Sequence, residues 1–362
     1  MVHIAAPTER GRLQGAAGPD SLSFFTPMAS EAGESSVSEF MEYRNPVYPE
    51  YFGDPFVWKH GDDYFAVGTG SGEASGDLGK SGRVFPLLHS LDLVHWKPAG
   101  EALDRPNADL GSNFWAPEVA YAEGQFWLYY SVGRGDKLHQ IRVASSRDPL
   151  GPYRDVSDEP LVAPRSPPFA IDPHPFQDDD GRWYLFYARD YLDAGFSRSF
   201  GRVRSGTALA MSRLLTMDKL EKKERTVLRA RCDWQRFLAN RLMYGGVFDW
   251  HTLEGPFIRK HEGRYYCFYS GGNWETGSYG VDYGVADQVA GPYSDAGNEK
   301  GPRVLRTSPG RVIGPGHNSF ITGPDGLDYM VYHAWDPAMT ARRMCIDPLV
   351  WTLEGPRCQG PT

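Results

Sequence analysis

Three acidic side chains in this chain of 362 residues stand directly before proline-containing turns. Asp54 and Asp172 each precede a proline, and Glu254 precedes a Gly-Pro pair. Glycoside hydrolysis needs two carboxyl groups, one ionised to activate water and one protonated to give a proton to the leaving oxygen. A third carboxylate nearby raises the pKa of the proton donor by charge repulsion. The three residues could therefore form a sugar-cleaving site, although acidic residues before proline also commonly open simple turns.

A short pattern recurs five times along the chain: a turn with glycine, then a strand rich in aromatic residues. The turn glycines are separated by steps of 63, 57, 82 and 63 residues. A repeat of this length, with a hairpin in every unit, is typical of a β-propeller. We therefore predict an all-β fold, a five-bladed β-propeller with four antiparallel strands per blade. The five turn glycines are Gly61, Gly124, Gly181, Gly263 and Gly326.

A propeller also predicts where the three acidic residues meet. The first strand of each blade begins near the central axis, so residues at the starts of these strands converge in a shallow funnel. Asp54, Asp172 and Glu254 begin blades one, three and four, and we expect them at equivalent positions. The longest step between turn glycines predicts an insertion at about 218–236. It is either a helical turn or loop over the site or a solvated connection.

Composition and charge limit the class of protein. A net charge of −8 argues against a nucleic-acid-binding surface, which needs concentrated Lys and Arg. No stretch has the length and hydrophobicity of a membrane span, and the first forty residues lack the pattern of a secretory signal. The four cysteines match no zinc pattern and are expected to be reduced. These features predict a cytoplasmic protein, or a secreted one if a signal has been removed.

The two ends of the chain differ in their expected roles. Residues 1–40 carry no copy of the repeat, and positions 26–39 are rich in Ser, Glu and Ala. We interpret this segment as a loose tail or an extra N-terminal strand. Residues 41–362 contain all five copies and are predicted to form a single catalytic propeller domain.

Several segments, in the order in which they occur, together resemble glycoside hydrolase family 43. Each alone is a weak signal, but together they are specific and extend from about residue 45 to the end of the chain. The resemblance implies a five-bladed propeller and an inverting mechanism. The segments are Asn45-Pro46-Val47, Gly53-Asp54-Pro55-Phe56-Val57, Phe114-Trp115-Ala116-Pro117-Glu118-Val119, Ala170-Ile171-Asp172-Pro173, Leu253-Glu254-Gly255-Pro256-Phe257, Gly314-Pro315-Gly316-His317-Asn318 and Tyr332-His333-Ala334-Trp335.

The resemblance also implies a role for each acidic residue. Asp54 corresponds to the general base, Glu254 to the general acid, and Asp172 to the group that orients the acid and tunes its pKa. Inversion requires the base and acid carboxyl groups to lie roughly 6.5–9.5 Å apart, which leaves room for the attacking water.

Two further polar residues take expected roles from the same resemblance. His317 matches an axial histidine that often contacts a water-coordinated calcium or other ion, so a structural ion is possible while no cofactor is required. Arg342 or Arg343 lies where a substrate-facing arginine is expected. Because side chains alternate along a strand, only one of the two points inward, and we favour Arg342 for its spacing to Ile346 and Trp351.

The remaining candidates for substrate binding are mostly aromatic, because apolar sugar faces pack on aromatic rings. Trp115 is the first candidate, followed by Trp274 and Phe56, and for each the alternative is a place in the core of a blade. Glu118, at the start of blade two, is assigned to the same substrate-binding set as a supporting residue. Glu354, in a copy of the Glu254 motif near the chain end, is interpreted as structural.

The leading functional hypothesis is an exo-acting α-L-arabinofuranosidase on plant arabinan or arabinoxylan oligosaccharides. A β-xylosidase, an endo-arabinanase or a galactan-cleaving enzyme of the same fold remains open, because the motifs do not separate them. A pocket closed by the loop 272–275 and the blade-three insertion would favour exo cleavage. From another class, a propeller that binds sugar without hydrolysis is the alternative. The expected partner is an oligosaccharide, not a nucleic acid or a membrane.

Overall fold

The computed structural model describes residues 41–71, 83–106 and 109–362. The predicted N-terminal tail, residues 1–40, lies outside the described residues. The described chain is almost entirely β-structure, with one short 3₁₀ helix at Asp233–Gln235. Within these ranges no helix has the length and hydrophobicity needed to cross a membrane. The prediction of an all-β fold is confirmed.

The first two repeat units are four-stranded antiparallel sheets whose strands pair in chain order. In each unit, the predicted glycine turn joins the first and second strands. Blade one consists of β1 (Gly53–His60), β2 (Asp63–Thr69), β3 (Arg83–Ser90) and β4 (Lys97–Asp104), and blade two of β5 (Asn113–Ala122), β6 (Gln125–Arg134), β7 (Lys137–Ser146) and β8 (Arg154–Asp155).

The third unit carries the extra chain that the long repeat step predicted. Its three inner strands are β9 (Ala170–Gln177), β10 (Trp183–Tyr191) and β13 (Gly206–Thr216), with β14 (Lys219–Leu220) and β15 (Arg225–Leu228) on the outside. A small hairpin, β11 (Gly195–Ser197) with β12 (Gly201–Val203), lies between β10 and β13. After the 3₁₀ helix, β16 (Arg236–Met243) pairs with the first part of the following strand. The insertion is thus mainly two hairpins, and its site-facing part begins where the predicted range of 218–236 ends.

The last two units complete the repeat. Blade four contains β17 (Gly246–His261), β18 (Arg264–Gly271) and β19 (Gly280–Ala286), and blade five contains β20 (Ile313–Thr322), β21 (Asp328–Trp335), β22 (Arg342–Thr352) and β23 (Gly355–Cys358). A short parallel pairing of β13 with β17 joins blades three and four into one sheet. The outer edge of blade four is reduced to two isolated bridges, Val285 with Ser294 and Val281 with Leu305.

Hydrophobic cores lie between neighbouring blades, in five clusters within the described chain. Blades one and two, two and three, three and four, and four and five each share a cluster, and the fifth joins blade five to blade one. Burial of apolar surface is the main stabilising term in folding, so the blades stabilise one another in a closed ring. Representative pairs are Phe65 with Phe114, Tyr129 with Leu185, Phe186 with Tyr269, Phe268 with Phe320, and Val331 with Val57.

The first strand of every blade is interrupted at a residue with a left-handed backbone, at φ between 45° and 57°, and in blade five Gly314 is an additional left-handed residue in the same strand. In four blades proline follows, and proline lacks the N–H that a regular ladder would need. The pairing register shifts at all five places, as expected for β-bulges. The five residues are Asp54, Ala116, Asp172, Gly255 and His317.

This alignment corrects one prediction. Asp54 and Asp172 occupy equivalent left-handed positions, but the equivalent residue in blade four is Gly255, not Glu254. Glu254 lies one residue earlier, at the position that Trp115 occupies in blade two. Sequence spacing misaligned it because the extra glycine before proline in blade four takes the left-handed conformation, which glycine adopts without steric cost.

The backbone N–H of each left-handed residue donates a hydrogen bond to a side chain of another blade. The acceptors are Thr69 for Ala116 (2.9 Å), Ser131 for Asp172 (2.9 Å), Asp172 for Gly255 (2.9 Å), Ser270 for His317 (2.7 Å) and His333 for Asp54 (3.0 Å). Each bond runs to the preceding blade, so the five bonds form a ring around the axis. This ring fixes the backbone from which the candidate site residues project.

Candidate active site

One cavity of about 490 Å³ lies at the starts of the inner strands. It brings together all three acidic residues that the sequence singled out, although more than 80 residues separate each from the next. Its lining also includes four of the other candidates. The predicted site residues that line it are Asp54, Asp172, Glu254, His317, Arg342, Trp115 and Trp274.

Asp54 is buried and surrounded by donors and positive charge. Its Oδ1 accepts a hydrogen bond from Nη1 of Arg342 at 3.0 Å, and its Oδ2 accepts one from the Thr69 hydroxyl at 2.6 Å. Burial by itself raises the pKa of Asp54, but the charge of Arg342, with His317 beside it, outweighs burial and holds the pKa well below its usual value. Asp54 is therefore an ionised carboxylate at neutral pH.

Arg342 is held in place by aromatic residues. Its Nε and Nη2 donate to the Tyr51 hydroxyl at 2.9 and 2.6 Å, and its guanidinium lies 4.7 Å from the ring centre of Trp274. Arg343, the other sequence candidate, forms an ion pair with Asp336 and does not line the cavity. The alternation of side chains along β22 thus turns Arg342, not Arg343, toward Asp54.

Glu254 has the opposite electrostatic character. Burial, with the negative charge of Asp54, raises its pKa to about 7, even though the hydroxyl of Tyr279 donates to its Oε1 at 2.6 Å and lowers the pKa. Burial and the charge of Glu254 keep the pKa of Tyr279 well above its usual value, so the phenol remains a donor. Glu254 can therefore carry a proton near neutral pH, where Asp54 cannot.

Asp172 lies between the other two acidic residues in chain order and contacts the backbone next to Glu254. Its Oδ2 accepts the N–H of Gly255, the residue next to Glu254. Burial first, and then the charges of Glu254 and Asp54, raise the pKa of Asp172. Because interacting carboxyl groups release their protons as a pair, Asp172 and Glu254 together retain a proton near neutrality.

His317 lies beside Asp54, with its Nδ1 3.3 Å from Oδ1 of the carboxylate. Burial and the charge of Arg342 lower the pKa of His317, which is therefore neutral at pH 7. In the described ranges no group of three or more His, Cys, Asp and Glu side chains is placed to bind a metal ion directly. Both side-chain amide atoms of Asn318 and Nε2 of His333 are buried without a protein partner. These atoms can form hydrogen bonds with ordered water, as residues around a water-coordinated ion would.

Two aromatic walls border the cavity. Trp115 is stacked on His139, with ring centres 3.9 Å apart, and His139 packs on Phe169 at 5.4 Å. Trp274 is stacked with Trp335, with ring centres 6.1 Å apart. Both walls leave an indole at the cavity lining, as a sugar-binding site requires.

Two predicted substrate-binding residues do not line the cavity. Phe56 packs between Trp58 and Phe257, with ring centres 6.2 and 6.5 Å away, and lies against the core between blades one and two and the core between blades four and five. Glu118 is buried and accepts a hydrogen bond from Nδ1 of His174 at 2.7 Å. Each lies two positions after the left-handed residue of its strand. At this position the side chain already points into the interface between blades. We therefore assign both a structural role.

Other lining or supporting residues were not identified from the sequence. Tyr51, Tyr279, His139, Asp136 and Arg241 lie in loops or strands outside the repeated motifs, and no spacing marked them. Thr69, Ser131 and Ser270 were detectable in principle. Each lies at or near the end of the second strand of its blade, so a search for hydroxyl residues in repeat phase would have found them.

Comparison with known proteins agrees with this geometry. The family model "Glycosyl hydrolases family 43" matches residues 43–356. The β-D-galactofuranosidase xynD of Aspergillus niger is 31% identical over 327 residues, which cover 86% of this chain and 83% of that protein. The extracellular exo-α-(1→5)-L-arabinofuranosidase ArbA of Cellvibrio japonicus is 27% identical, covering 83% and 84% of the two chains.

Solved structures agree as well. A thermostable family-43 glycoside hydrolase superposes with a TM-score of 0.73 at 30% identity, covering 89% of this chain and 97% of that one. The predicted propeller fold and the resemblance seen in the motifs are confirmed. Since the family model spans nearly all of the described residues, the chain belongs to glycosyl hydrolase family 43 and is a glycoside hydrolase.

Proposed function

We propose that this enzyme is an exo-acting α-L-arabinofuranosidase that works with inversion at the anomeric carbon. The proposal rests on one observation: a single cavity, with two indoles in its lining, holds the Asp54 carboxylate, whose pKa is held low, and the Glu254 carboxyl group, whose pKa is raised to about 7. The relative ArbA, which shares 27% identity, supports the choice of sugar. The cavity is also lined by Phe237 and Arg241 of β16 and by Trp274 and Glu275 of the loop between β18 and β19, which supports a pocket for chain ends.

The proposed reaction uses the three carboxyl groups in one displacement. Asp54 takes a proton from a water molecule as the water oxygen attacks the anomeric carbon. Glu254 gives its proton to the glycosidic oxygen as the bond to the leaving sugar breaks. Asp172 stays close to the proton donor and keeps its pKa high through its own charge. Arg342 holds Asp54 ionised throughout, and an ion bound through water near His317 would have a structural role.

A second candidate is hydrolysis of β-D-galactofuranosides, which the name of the Aspergillus niger relative at 31% identity favours. The test is a panel of 4-nitrophenyl α-L-arabinofuranoside, β-D-galactofuranoside and β-D-xylopyranoside. Product profiles on arabinan, arabinoxylan and short xylo-oligosaccharides then distinguish release of single sugars from internal cleavage. The highest kcat/KM on the arabinofuranoside, with arabinose as first product, is the expected result. Binding of these sugars without turnover would instead favour a non-catalytic propeller.

Replacing Tyr279 by Phe is expected to move the basic limb of the pH profile to higher pH. The Tyr279 hydroxyl donates to the carboxylate of Glu254 and so favours its ionised form. Without this bond the pKa of Glu254 rises above about 7. The ring is retained, including its stacking on His333 at 5.9 Å. The measurement is kcat/KM against pH, and an unmoved or lowered basic limb would contradict the assignment.

Replacing Asp172 by Asn is expected to move the same limb in the opposite direction. When Glu254 carries the proton that the two carboxyl groups share, Asp172 is ionised and its charge opposes loss of that proton. A neutral amide at position 172 therefore lowers the pKa of Glu254 and shifts the basic limb to lower pH. The Asn carbonyl oxygen can still accept the N–H of Gly255, which keeps the local geometry. A basic limb that stays in place would show that Asp172 does not tune the proton donor.

Replacing His139 by Ala is expected to weaken both substrate binding and the fold. The imidazole is fully buried between Trp115 and Phe169, and its Nε2 donates to the carbonyl of Gly135 at 2.7 Å. We expect a loss of about 2–4 kcal/mol in the free energy of unfolding, as for other large-to-small core substitutions, with a raised KM. His139→Phe retains a ring behind the indole and should restore most of the KM. An unchanged KM in His139→Ala would remove Trp115 from the substrate-binding set.

The location of the enzyme, inside or outside the cell, is a separate proposal. The sequence predicts a cytoplasmic enzyme acting on small oligosaccharides. The relatives from Cellvibrio japonicus and Bacillus subtilis are named as extracellular enzymes, which supports the secreted alternative. Fractionation of cells that produce the protein, with activity assayed in each fraction, distinguishes the two.

A further inference from the structure

We propose that Arg241 binds the leaving-group sugar, the unit on the far side of the scissile bond, and that Asp136 orients it. The inference rests on the proposed function for the identity of the sugar and for Glu254 as the proton donor. Neither residue belongs to a repeated motif, and neither takes part in the proton transfers described above.

Arg241 and Asp136 come from distant parts of the chain and contact each other at the cavity lining. Arg241 lies on β16, the strand inserted before blade four, and Asp136 lies in the turn between β6 and β7 of blade two. Nη2 of Arg241 is 2.7 Å from Oδ2 of Asp136, and both residues line the cavity. The ion pair therefore joins blade two to the inserted hairpin at the cavity lining.

The guanidinium is packed rather than free in solvent. It lies 4.9 Å from the ring centre of Phe237 and 5.4 Å from that of Trp250. The side chain of Arg241 is 17% exposed, whereas that of Asp136 is 50% exposed. Arginine has five N–H donors in a fixed plane, and among the described residues only Asp136 accepts from this one. The remaining donors are available to sugar hydroxyls.

The hairpin that carries Arg241 is itself anchored. At its tip the Tyr244 hydroxyl donates to Oδ2 of the buried Asp190 at 2.7 Å. Oδ1 of the same carboxylate accepts the hydroxyl of Thr207, another lining residue, at 2.8 Å. Arg241 is thus presented from a strand tied to blade three, which is the preorganisation that selective binding needs.

The position of Arg241 relative to the carboxyl groups indicates that it lies on the side of the leaving-group sugar. Arg241 pairs with Phe248 on β17, the same strand that carries Glu254, whereas Arg342 on β22 contacts Asp54. Glu254 protonates the glycosidic oxygen, so the sugar that departs with this oxygen lies on the Glu254 side. Arg241 and Asp136 therefore border the place of the second sugar unit.

The test compares two substrates that differ only in the leaving group: α-1,5-linked L-arabinobiose and 4-nitrophenyl α-L-arabinofuranoside. Arg241→Ala should lower kcat/KM for arabinobiose by about tenfold or more, the range for a lost charge-assisted hydrogen bond. The aryl substrate has no second sugar, and its kcat/KM should change by less than about threefold on the same reasoning. Equal losses on both substrates would overturn the inference.

Two further variants separate orientation from general structure. Asp136→Asn should raise the KM for arabinobiose in the wild-type background but add no further loss in the Arg241→Ala background, because it acts through Arg241. Additive losses, with a lowered thermal midpoint, would show a structural role for Asp136 instead. Arg134→Ala is the matched control. Arg134 lies on the β6–β7 hairpin that also carries Asp136, and it pairs with Asp109 outside the cavity lining.

Failure of the proposed function is distinguishable from failure of this inference. If the wild-type enzyme prefers another glycoside in the substrate panel, the arabinofuranosidase proposal is wrong. The same comparison is then made with xylobiose and 4-nitrophenyl β-D-xylopyranoside, or with the corresponding galactofuranosides. A selective loss on the disaccharide would still support the role of Arg241, and a uniform loss would still reject it.

Discussion

Replacing Asp54 by Asn is expected to lower kcat/KM by about 10²–10⁴-fold on every substrate, the range for loss of a general base. The amide keeps the size of the side chain but cannot accept a proton from water. The loss should not depend on the leaving group, because activation of the nucleophile is needed whatever group departs. The measurement is kcat/KM for arabinobiose and for the nitrophenyl arabinofuranoside.

Folding must be checked in the same experiment. Asp54 is the buried ion-pair partner of Arg342, and removing one partner of a buried pair destabilises a protein. Circular dichroism and a thermal unfolding curve establish that Asp54→Asn is folded at the assay temperature. A folded variant that retains more than about a tenth of wild-type activity would contradict the role of general base, since such a group contributes at least about 10²-fold.

Replacing Glu254 by Gln is expected to give a loss that depends on the leaving group. Arabino-oligosaccharides, whose leaving oxygen needs a proton, should lose about 10²–10⁴-fold in kcat/KM. The nitrophenyl substrate should lose much less, because nitrophenolate departs without protonation. The basic limb of the pH profile should also disappear, since Glu254, with a pKa raised to about 7, produces it.

The sequence offers a matched control for this variant. Glu354 lies in a copy of the same five-residue motif, but it is exposed in the turn between β22 and β23 and pairs with Arg357. Glu354→Gln should leave both activities unchanged. Full activity of Glu254→Gln on oligosaccharides, or an equal loss on both substrates, would reject Glu254 as the proton donor.

Much of the fold follows from the sequence for a physical reason. Each glycine turn with its aromatic strand marks one hairpin, and a hairpin with one apolar face must find a neighbour to cover it. Five such units cover one another in a ring, as the five inter-blade cores show. The acidic residues converge because the first strand of each blade faces the axis. The position of a residue within the repeat therefore predicts that it lies near the site.

Repeat phase could not give the position of a side chain to within one residue. A bulge reverses which face the following residues point to, and only the left-handed backbone reveals it. The repeat therefore aligns Glu254 with Asp54, whereas the structurally equivalent residue is Gly255. It also predicts a place in the cavity for Phe56, which lies in the core. Tyr279, His139 and Arg241 were missed because contacts between blades are not encoded in local spacing.

The ring of hydrogen bonds from the left-handed residues has a consequence for how such enzymes can diversify. The donors are backbone N–H groups, and of the five left-handed residues only Asp172 also contributes its side chain, as the acceptor for Gly255. At the other four positions, which here are Asp, Ala, Gly and His, the ring itself uses no side chain. New chemistry can be installed at these positions by point substitution while the hydrogen bonds that hold the backbone stay unchanged.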